Sequence, residues 1–401
     1  MKTILKPKRL KRYSRFCGID IGKNTHVARI IDSQGQNIVR SQSFRNDAAG
    51  FDRLIERLTQ AGKVRQILIA MEATGHYWYC LHDFLKRLGY DVVLLNPVQT
   101  SQQAKKGIRK SKTDKIDAGH IATLIKNSEH RPAHIPDDTG MTCRQLSRLW
   151  YSLVKQRSRV KQLIRSRLHP VWPEYETFFA DMFGITGRTL LQAAPTPEDL
   201  LAMGLGNLTE LIRKASRGRL NTKRAQCIWE TTEKSIGMRR GLDGARIGIS
   251  TLLSQLDALR LVQENFEKEL KLLAENLPPF LLSLPGINYI RAVSLFGEVD
   301  PITSFASPDK LVAFSGLDVA VFQSGQYDGT KRHISKRGSP FLRRTLWTMA
   351  HVALRSESDL RDYYLRRMKN GSHHLVAVTA TAAKLCRIIW RIMTDERDYV
   401  P

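Results

Sequence analysis

Residues 16–21 read FCGIDI, residues 26–31 read HVARII and residues 37–44 read NIVRSQSF. These three short apolar runs decide how the chain begins. The turn-like segments GKNT and DSQGQ separate them, and short apolar runs between such turns are typical of adjacent strands. The sequence therefore predicts that the chain opens as a three-stranded meander.

Strands and helices alternate after this meander. QILIAM at 66–71 and DVVLLN at 91–96 have the apolar content of buried strands, whereas residues 50–61 and 76–88 have helical patterns. A further helix is predicted from about residue 114. Because the two element types alternate, the sequence favours a mixed α/β sheet.

The composition of the chain favours a polyanionic partner. The 401 residues are 42% hydrophobic, which is enough for real cores and rules out disorder for most of the chain. Lysine and arginine number 64 against 38 acidic residues, which gives a formal net charge of +26. Residues 1–15 hold seven of these cations and no acid, and they suit a flexible arm lying on phosphates or a solvated tail.

Other features of the sequence exclude several classes of protein. No apolar stretch follows the basic N-terminus, so we expect no signal peptide, and no run of about 18 apolar residues predicts a membrane span. The five cysteines have no short spacing that suggests zinc or a disulfide framework. We expect them to be buried, reduced thiols in a cytoplasmic protein that associates with the nucleoid when it is bound to DNA.

The middle of the chain is predicted to be helical. Residues 141–170 contain eight basic residues and no acid, with an apolar stripe on one helix face. A stronger heptad pattern follows and predicts a coiled coil, within the chain or between chains, although a core helix is the alternative. The stripe contains Leu146, Leu149, Leu153, Val160 and Leu163, and the heptad contains Leu252, Leu256, Leu259, Gln263, Phe266, Leu270, Leu273 and Leu277.

Four carboxylates stand at positions that suit metal-dependent phosphoryl transfer. Asp20 lies within an apolar strand, Glu72 ends another, and Asp114 and Asp117 share one side of a predicted helix start. Oxygen ligands of this kind suit hard divalent cations, and two such ions can stabilise the attacking and the leaving oxygen. For Asp114 and Asp117, ordinary helix capping is the alternative interpretation.

At these residues the chain resembles a known family. FCGIDIGKNTHVA, IAMEATGHY and KSKTDKIDAGHIA resemble the DEDD RuvC-like domain of the transposases of the IS110 family of insertion sequences, to which the pilin-gene invertase is related. LPGINYIRAVSLFGEVD, DKLVAFSGLD and SGQYDGTKRHISKRGSPFLRR resemble the C-terminal transposase domain of that family. The two blocks cover roughly residues 16–130 and 279–350, and the resemblance implies an α/β RNase H-like (RuvC-like) domain at 16–135 and a mainly α, serine-bearing domain at 279–401. The helical, coiled-coil region at 136–278 is predicted from the heptad pattern alone.

The resemblance also implies how these residues act. Asp20, Glu72, Asp114 and Asp117 would hold Mg²⁺, as a two-ion site, and Ser324 would be the nucleophile, with Ser335 and Ser339 as nearby competitors. Members of the family use a structured RNA that the element encodes, and a homo-oligomer that acts on donor and target DNA is expected. The cations expected to bind nucleic acid are Lys105, Lys106, Arg109, Lys110, Arg332, Lys336, Arg337, Arg343 and Arg344.

One position departs from the family pattern. Family members commonly carry a Pro-Arg pair shortly after the Gly-Leu that precedes the serine, whereas Gly316-Leu317 is followed here by Asp318, Val319 and Ala320.

The second hypothesis for the function is a structure-selective nuclease, such as a junction resolvase, that uses the carboxylates without the serine. An actin-like ATPase, suggested by GIDIGKN, and a non-enzymatic nucleic-acid scaffold rank lower.

Overall fold

The computed structural model describes residues 12–72, 75–95, 114–127, 134–319, 323–324, 327–328 and 333–400. The chain divides into two compact units. The first contains residues 1–137 and 300–310, and the second contains residues 138–299 and 311–401. Helices from the predicted middle region and from the predicted C-terminal domain both belong to the second unit.

A mixed five-stranded sheet forms the first unit, as the sequence predicts. The strand order is β3-β2-β1-β4-β5, with β1, β2 and β3 antiparallel and β4 and β5 parallel to β1. The strands are β1 Arg15–Asp20, β2 Thr25–Asp32, β3 Asn37–Arg45, β4 Ile67–Glu72 and β5 Asp91–Leu95, and the helices are α1 Ala48–Ala61, α2 Tyr79–Arg87 and α3 Asp114–Lys126. An α/β N-terminal domain is thereby confirmed.

The two faces of this sheet bury different helices, because side chains alternate along each strand. Cys17 and Ile19 of β1 share a core with Leu54 of α1 and Leu81 of α2. Phe16 of the same strand points to the other face, where it belongs to a core built with α3. Helix α3 therefore covers one face of the strands that carry the predicted acids.

Two long helices pack against each other in the second unit. Helix α4 spans Asp138–Leu168 and helix α9 spans Leu242–Glu275. Val160 and Ile164 of α4 share a core with Leu253 and Leu256 of α9. Trp150 of α4 lies 6.5 Å from Phe266 of α9, measured between ring centroids. Because position along α4 falls as position along α9 rises, the two helices are antiparallel.

The predicted heptad is used within the chain. Leu256, Gln263, Leu270 and Leu277 are buried, and the four other heptad residues are half-buried. The stripe predicted on α4 is partly wrong, since Leu149 is 50% exposed and Trp150 and Tyr151 are buried in its place. Four short helices share a core with the C-terminal end of α4 and the N-terminal end of α9. They are α5 Ile185–Ala193, α6 Pro197–Met203, α7 Leu205–Ala215 and α8 Thr222–Glu233.

Five helices and a short hairpin complete the second part of the chain. Helices α10, α12 and α14 have continuous buried faces, and α13 packs on α14. The elements are α10 Tyr289–Val299, α11 Pro308–Ser315, β6 Gln323–Ser324, β7 Tyr327–Asp328, α12 Pro340–Ala353, α13 Asp359–Lys369 and α14 His374–Asp395. Within the described residues, each helix is too short or too polar to cross a membrane.

The cysteines correct one expectation. All five are free thiols, but Cys80 and Cys227 are exposed, so only Cys17, Cys143 and Cys386 are buried as predicted. Burial raises the pKa of the Cys17 thiol to about 12, which keeps it protonated at neutral pH. The Cys17 thiol is therefore an unreactive core residue.

Candidate active site

Asp20 and Glu72 end two neighbouring parallel strands. Strands β1 and β4 pair in parallel, with Ile19 opposite Met71, so the residues that follow these two lie at the same edge of the sheet. Both carboxylates are half-buried. Ligands and substrates commonly meet such carboxyl ends in α/β sheets. The sheet thus brings these two acids, 52 residues apart in sequence, to adjacent positions.

Alternation also directs both side chains to the face that α3 covers. Asp20 follows Phe16 and Gly18 at even spacing, and Glu72 follows Leu68 and Ala70 in the same way. Phe16, Leu68 and Ala70 share a core with residues of α3. The two acids therefore project toward the helix that carries Asp117.

A close contact fixes that helix against β1. A Cβ atom at Gly18 would lie 2.2 Å from the Ala118 carbonyl oxygen and 2.4 Å from the Ala122 nitrogen, so only glycine allows the backbones to approach this closely. Asp117 precedes Ala118, and its side chain is 24% exposed. The sequence alone did not single out Gly18, although a glycine between apolar strand residues is a recognisable signal of close approach.

His120 stands beside Asp117 on the same helix. Its Nδ1 lies 4.0 Å from the Asp117 carboxylate, one helical turn away. Its side chain is 34% exposed. This histidine, which the sequence analysis missed, adds a titratable group to the face where the acids lie.

The donor types at this face fit a hard divalent cation, because Asp20, Glu72 and Asp117 supply carboxylate oxygens from one side of the sheet. Among the side chains that the structure describes, however, no three Asp, Glu, His or Cys residues are arranged as a metal-ligand group. Helix α3 begins at Asp114, whose side chain lies outside the described residues. The convergence of the four acids around an ion stays a prediction.

A buried histidine supports the turn that follows Asp20. His26 has no exposed surface, and its Nδ1 accepts a hydrogen bond of 3.3 Å from the Gly22 backbone nitrogen. Its ring packs against Phe44 and Phe51. Burial lowers the pKa of this imidazole, so the neutral ring, which can accept that bond, is favoured.

In the second unit, backbone contacts join the chain before and after the segment that carries Ser324. Val319 forms an antiparallel bridge with Ile334, and the Ser335 nitrogen donates to the Asp318 oxygen at 2.7 Å. Ser324 of β6 is opposite Tyr327 of β7. The Ser324 side chain lies outside the described residues, so the structure leaves its role as a nucleophile untested.

Asp318, at the position that departs from the family pattern, holds two partners. Its carboxylate accepts a hydrogen bond from the Ser335 hydroxyl and one of 2.8 Å from the Arg337 guanidinium. The Arg337 side chain is 70% exposed. Asp318 is therefore paired with an arginine that follows it by 19 residues.

The second competitor serine, Ser339, has a structural role. It is 6% exposed, its hydroxyl donates to Glu298 at 2.8 Å, and it caps α12 by accepting a bond from the Leu342 nitrogen at 3.1 Å. Glu298 is fully buried and also receives two bonds from Arg148, of 2.7 and 3.1 Å. Both hydrogen-bonding functions of the Ser339 hydroxyl are therefore used within the protein.

The predicted cations occupy different environments. Lys336 is exposed and adopts a left-handed backbone with φ of 53°. Arg344 is exposed and stacks over the Tyr151 ring at 4.4 Å. Arg343 is half-buried and donates to the Ser315 carbonyl at 3.0 Å, and burial lowers the pKa of its guanidinium. Those outside the described residues are Lys105, Lys106, Arg109, Lys110 and Arg332.

Two family profiles match the chain in order along its sequence. Residues 17–173 match the DEDD transposase domain of the IS110 group, described as a transposase. Residues 279–365 match the transposase family IS116/IS110/IS902. The first match contains all four predicted acids, and the second contains Ser324 and the cations that follow it.

Relatives of similar length extend this likeness over nearly the whole chain. A 42 kDa protein of insertion element IS900 from Mycobacterium paratuberculosis is 24% identical over 96% of this chain and 97% of its own length. A 44.8 kDa protein of IS116 from Streptomyces clavuligerus is 24% identical over 96% of each. The transposase for insertion sequence IS1111A of Coxiella burnetii is 24% identical over 98% of this chain and 93% of its own.

Proposed function

Because this chain belongs to the IS110 family of transposases, we propose that it cuts and rejoins DNA with two sets of residues, the carboxylates of the first unit and Ser324 of the second. The observation that carries the proposal is the ordered match of both family profiles, which span the acids and the serine. The formal net charge of the chain, +26, suits a protein whose substrate is a polyanion.

We interpret the first unit as an RNase H-like, RuvC-like domain. The sheet order β3-β2-β1-β4-β5, with an antiparallel meander joined to parallel β4 and β5, supports this interpretation. So does the position of Asp20 and Glu72 at the ends of its two neighbouring parallel strands.

Asp20, Glu72 and Asp117, together with Asp114, are proposed to hold Mg²⁺. The bound ion would supply Lewis-acid stabilisation of the phosphate oxygens in the transition state. The carboxylates supply the oxygen donors, and the contact of Gly18 with α3 keeps Asp117 on the same face as the strand acids.

Ser324 is proposed to attack the scissile phosphodiester through its hydroxyl oxygen. A bond forms between that oxygen and phosphorus while the bond from phosphorus to one sugar oxygen breaks, and the serine proton is finally carried by the released sugar hydroxyl. The phosphoserine keeps the ester bond, so that a sugar hydroxyl of another strand can displace the serine and reseal DNA without a further energy source. Burial of Ser339 and the use of both hydrogen-bonding functions of its hydroxyl count against it as the nucleophile, and the match to the family's Ser-Gly pattern favours Ser324 over Ser335.

A covalent-trapping assay tests this step. Protein, Mg²⁺, guide RNA and labelled DNA are incubated and separated on a denaturing gel, with Ser324→Ala, Ser335→Ala and Asp20→Ala compared with the wild type. We expect label on the wild-type and Ser335→Ala proteins and none on the other two. Label on Ser324→Ala would exclude it as the nucleophile, and DNA cleavage by a wild type that never carries label would favour the plain nuclease.

A structured RNA is proposed as the guide, since the resemblance implies one and the excess of cations can hold its backbone. The test is to purify the protein from cells that contain the complete element and to sequence the RNA that copurifies. One enriched, structured species is expected. Recovery of only bulk cellular RNA would contradict the proposal.

We also propose a homo-oligomer that forms through the outer side of α9. Leu261, Val262 and Leu272 are at least half-exposed on that side. The heptad residues of α9 are buried or half-buried within the chain, so they are not available to a partner subunit. Leu261→Glu with Leu272→Glu is therefore expected to give monomers in light scattering without unfolding. An unchanged mass would show that this face does not mediate assembly.

A further inference from the structure

A tyrosine on α13 orders two cations from two different helices. The guanidinium carbon of Arg367 lies 5.7 Å from the centroid of the Tyr363 ring, and the ammonium of Lys384 on α14 lies 5.2 Å from the same centroid. Both distances fall within the range of a cation–π contact. The contact restrains the two side chains and leaves their positive charges in place.

This arrangement differs from the ion pairs elsewhere on α14. Arg391 and Arg397 both lie close to the Asp395 carboxylate, at 2.7 and 3.4 Å, which offsets their charge. Among the described residues, no ion pair joins Arg367 or Lys384 to a carboxylate, although the Lys384 ammonium also donates to the Asp359 backbone carbonyl at 3.4 Å, a contact that leaves its charge uncancelled. Their charge is therefore available to an external anion.

The end of α13 adds more cations and an open space. Arg366, Arg367 and Lys369 stand in its last turn, whereas its acids, Asp359 and Asp362, stand in the first turn. Tyr363, Arg366, Arg367 and Asn370 line a shallow, open surface on one face at the end of α13. Favourable interaction with the helix dipole explains cations in a last turn, but it does not require an arginine and a lysine from another helix to meet on one ring.

We propose that this Tyr363 surface, formed by Tyr363, Arg366, Arg367 and Lys384, binds the sugar–phosphate backbone of a nucleic acid. Guanidinium groups match phosphate oxygens with two parallel hydrogen bonds, and a lysine adds a point charge. Cations on two helices suit an extended polyanion better than a single small anion. The surface lies apart in sequence from every residue that the sequence analysis assigned to nucleic-acid binding.

Equilibrium binding of the full-length chain tests this inference, which rests on the proposed action on nucleic acids and not on any covalent step. Fluorescence anisotropy is measured with a labelled DNA duplex, a single DNA strand and an RNA strand of one length, across a salt series. For Arg366→Ala with Arg367→Ala, the log–log salt slope on duplex DNA should fall by about 1.8, because each lost phosphate contact removes about 0.9. Affinity at low salt should fall about tenfold or more.

Two further variants distinguish the restraint of the cationic side chains by the Tyr363 ring from the positive charge of those side chains. Tyr363→Leu keeps the net charge but removes the ring contact that restrains Arg367 and one of the two contacts that restrain Lys384, so we expect binding to weaken about fivefold with a nearly unchanged salt slope. Tyr363→Phe keeps the ring and should bind like the wild type. Arg391→Ala is the charge control, because it removes an exposed cation that is already paired with Asp395.

The outcomes are distinct from those of the trapping assay, since a protein that forms no covalent adduct can still bind through this surface. A loss with any of the three probes supports the inference and identifies the strand type that is bound. Unchanged affinity and slope in the Arg366 and Arg367 variant would overturn it. An equal loss in Arg391→Ala would do the same, because it would show that only net charge matters.

Discussion

The carboxylates of the N-terminal sheet and the carboxylate of Glu298 are held in opposite ways. Asp20, Glu72 and Asp117 are half-buried on one face of the sheet, where strand ends and a close helix contact position them. Glu298 is fully buried and receives bonds from Arg148 and Ser339. The first arrangement keeps acids accessible to a ligand, and the second uses an acid to join three helices.

The physical difference lies in desolvation. A carboxylate removed from water must be matched by donors, and the partners of Glu298 come from α4 and α12. A neighbouring bond adds to this junction, since the Tyr151 and Ser294 hydroxyls both meet the Thr345 hydroxyl at 2.8 Å. The acids of the sheet keep part of their surface in water, so their charged form costs less desolvation and stays accessible to a cation.

The largest expected effect is on activity, at the sheet. Asp20→Asn removes a metal donor but keeps the shape of the side chain, so we expect covalent-adduct formation to fall by about 10³-fold or more, as loss of several kcal/mol of transition-state stabilisation implies. The midpoint of thermal unfolding should change little, because the site is partly solvated. A variant that is strongly destabilised, or that keeps its activity, would contradict the assignment of Asp20 as a metal ligand.

The reverse pattern is expected at Glu298. Glu298→Ala removes the acceptor of both Arg148 and Ser339, and because the Arg148 side chain is 38% exposed and can regain water, we expect the free energy of unfolding to fall by about 1–3 kcal/mol in urea titration. The matched control is Asp309→Ala, which removes an exposed carboxylate from the start of α11 and should change stability by less than about 1 kcal/mol. Similar unfolding curves for the two variants would show that the buried network adds no stability.

Two serines compare a buried hydrogen bond to a carboxylate with a partly exposed one. Ser339→Ala removes a helix cap together with a buried bond to Glu298, so a loss of about 1–2 kcal/mol is expected. Ser335→Ala removes a bond to the partly exposed Asp318 carboxylate and should cost less than about 1 kcal/mol. Urea unfolding of both variants measures the difference, and an equal loss would mean that burial does not govern the value of these bonds.

Much of the first unit could be predicted from local sequence. All five strands follow from short apolar runs, since β1 and β4 lie within one residue of FCGIDI and QILIAM. The positions of Asp20 and Glu72 at strand ends follow from the same pattern. The contact between Gly18 and α3 could not be predicted, because it depends on how closely one particular helix crosses the strand.

The second unit was harder to predict because its contacts join distant parts of the chain. Glu298 meets Arg148 and Ser339, which are 150 and 41 residues away in sequence. No local pattern distinguishes such a glutamate from an exposed one. Four of the eight heptad residues are buried and four are half-buried, whereas Leu253 and Ala274 of α9 are buried outside the heptad. A repeat of this kind also does not specify whether the partner helix belongs to the same chain.

Asp300 is a half-buried acid whose effect on stability is expected to depend on pH. Burial and the nearby Asp137 carboxylate raise the pKa of Asp300 from 3.8 to about 6. The folded protein therefore binds more protons than the unfolded chain between about pH 4 and pH 6, so stability is present below this window and is lost as pH rises through it. Asp300→Asn removes this dependence.

We therefore expect Asp300→Asn to raise the free energy of unfolding by about 1 kcal/mol at pH 7.5, less than the full shift implies because the pair is partly solvated. At pH 4 the variant and the wild type should be nearly equal, because the wild-type carboxyl is then largely protonated. Asp137→Asn relieves the same repulsion and should stabilise the protein in the same direction. If Asp300→Asn changes the free energy of unfolding by the same amount at both pH values, the Asp300 carboxyl group does not have the raised pKa that underlies this prediction.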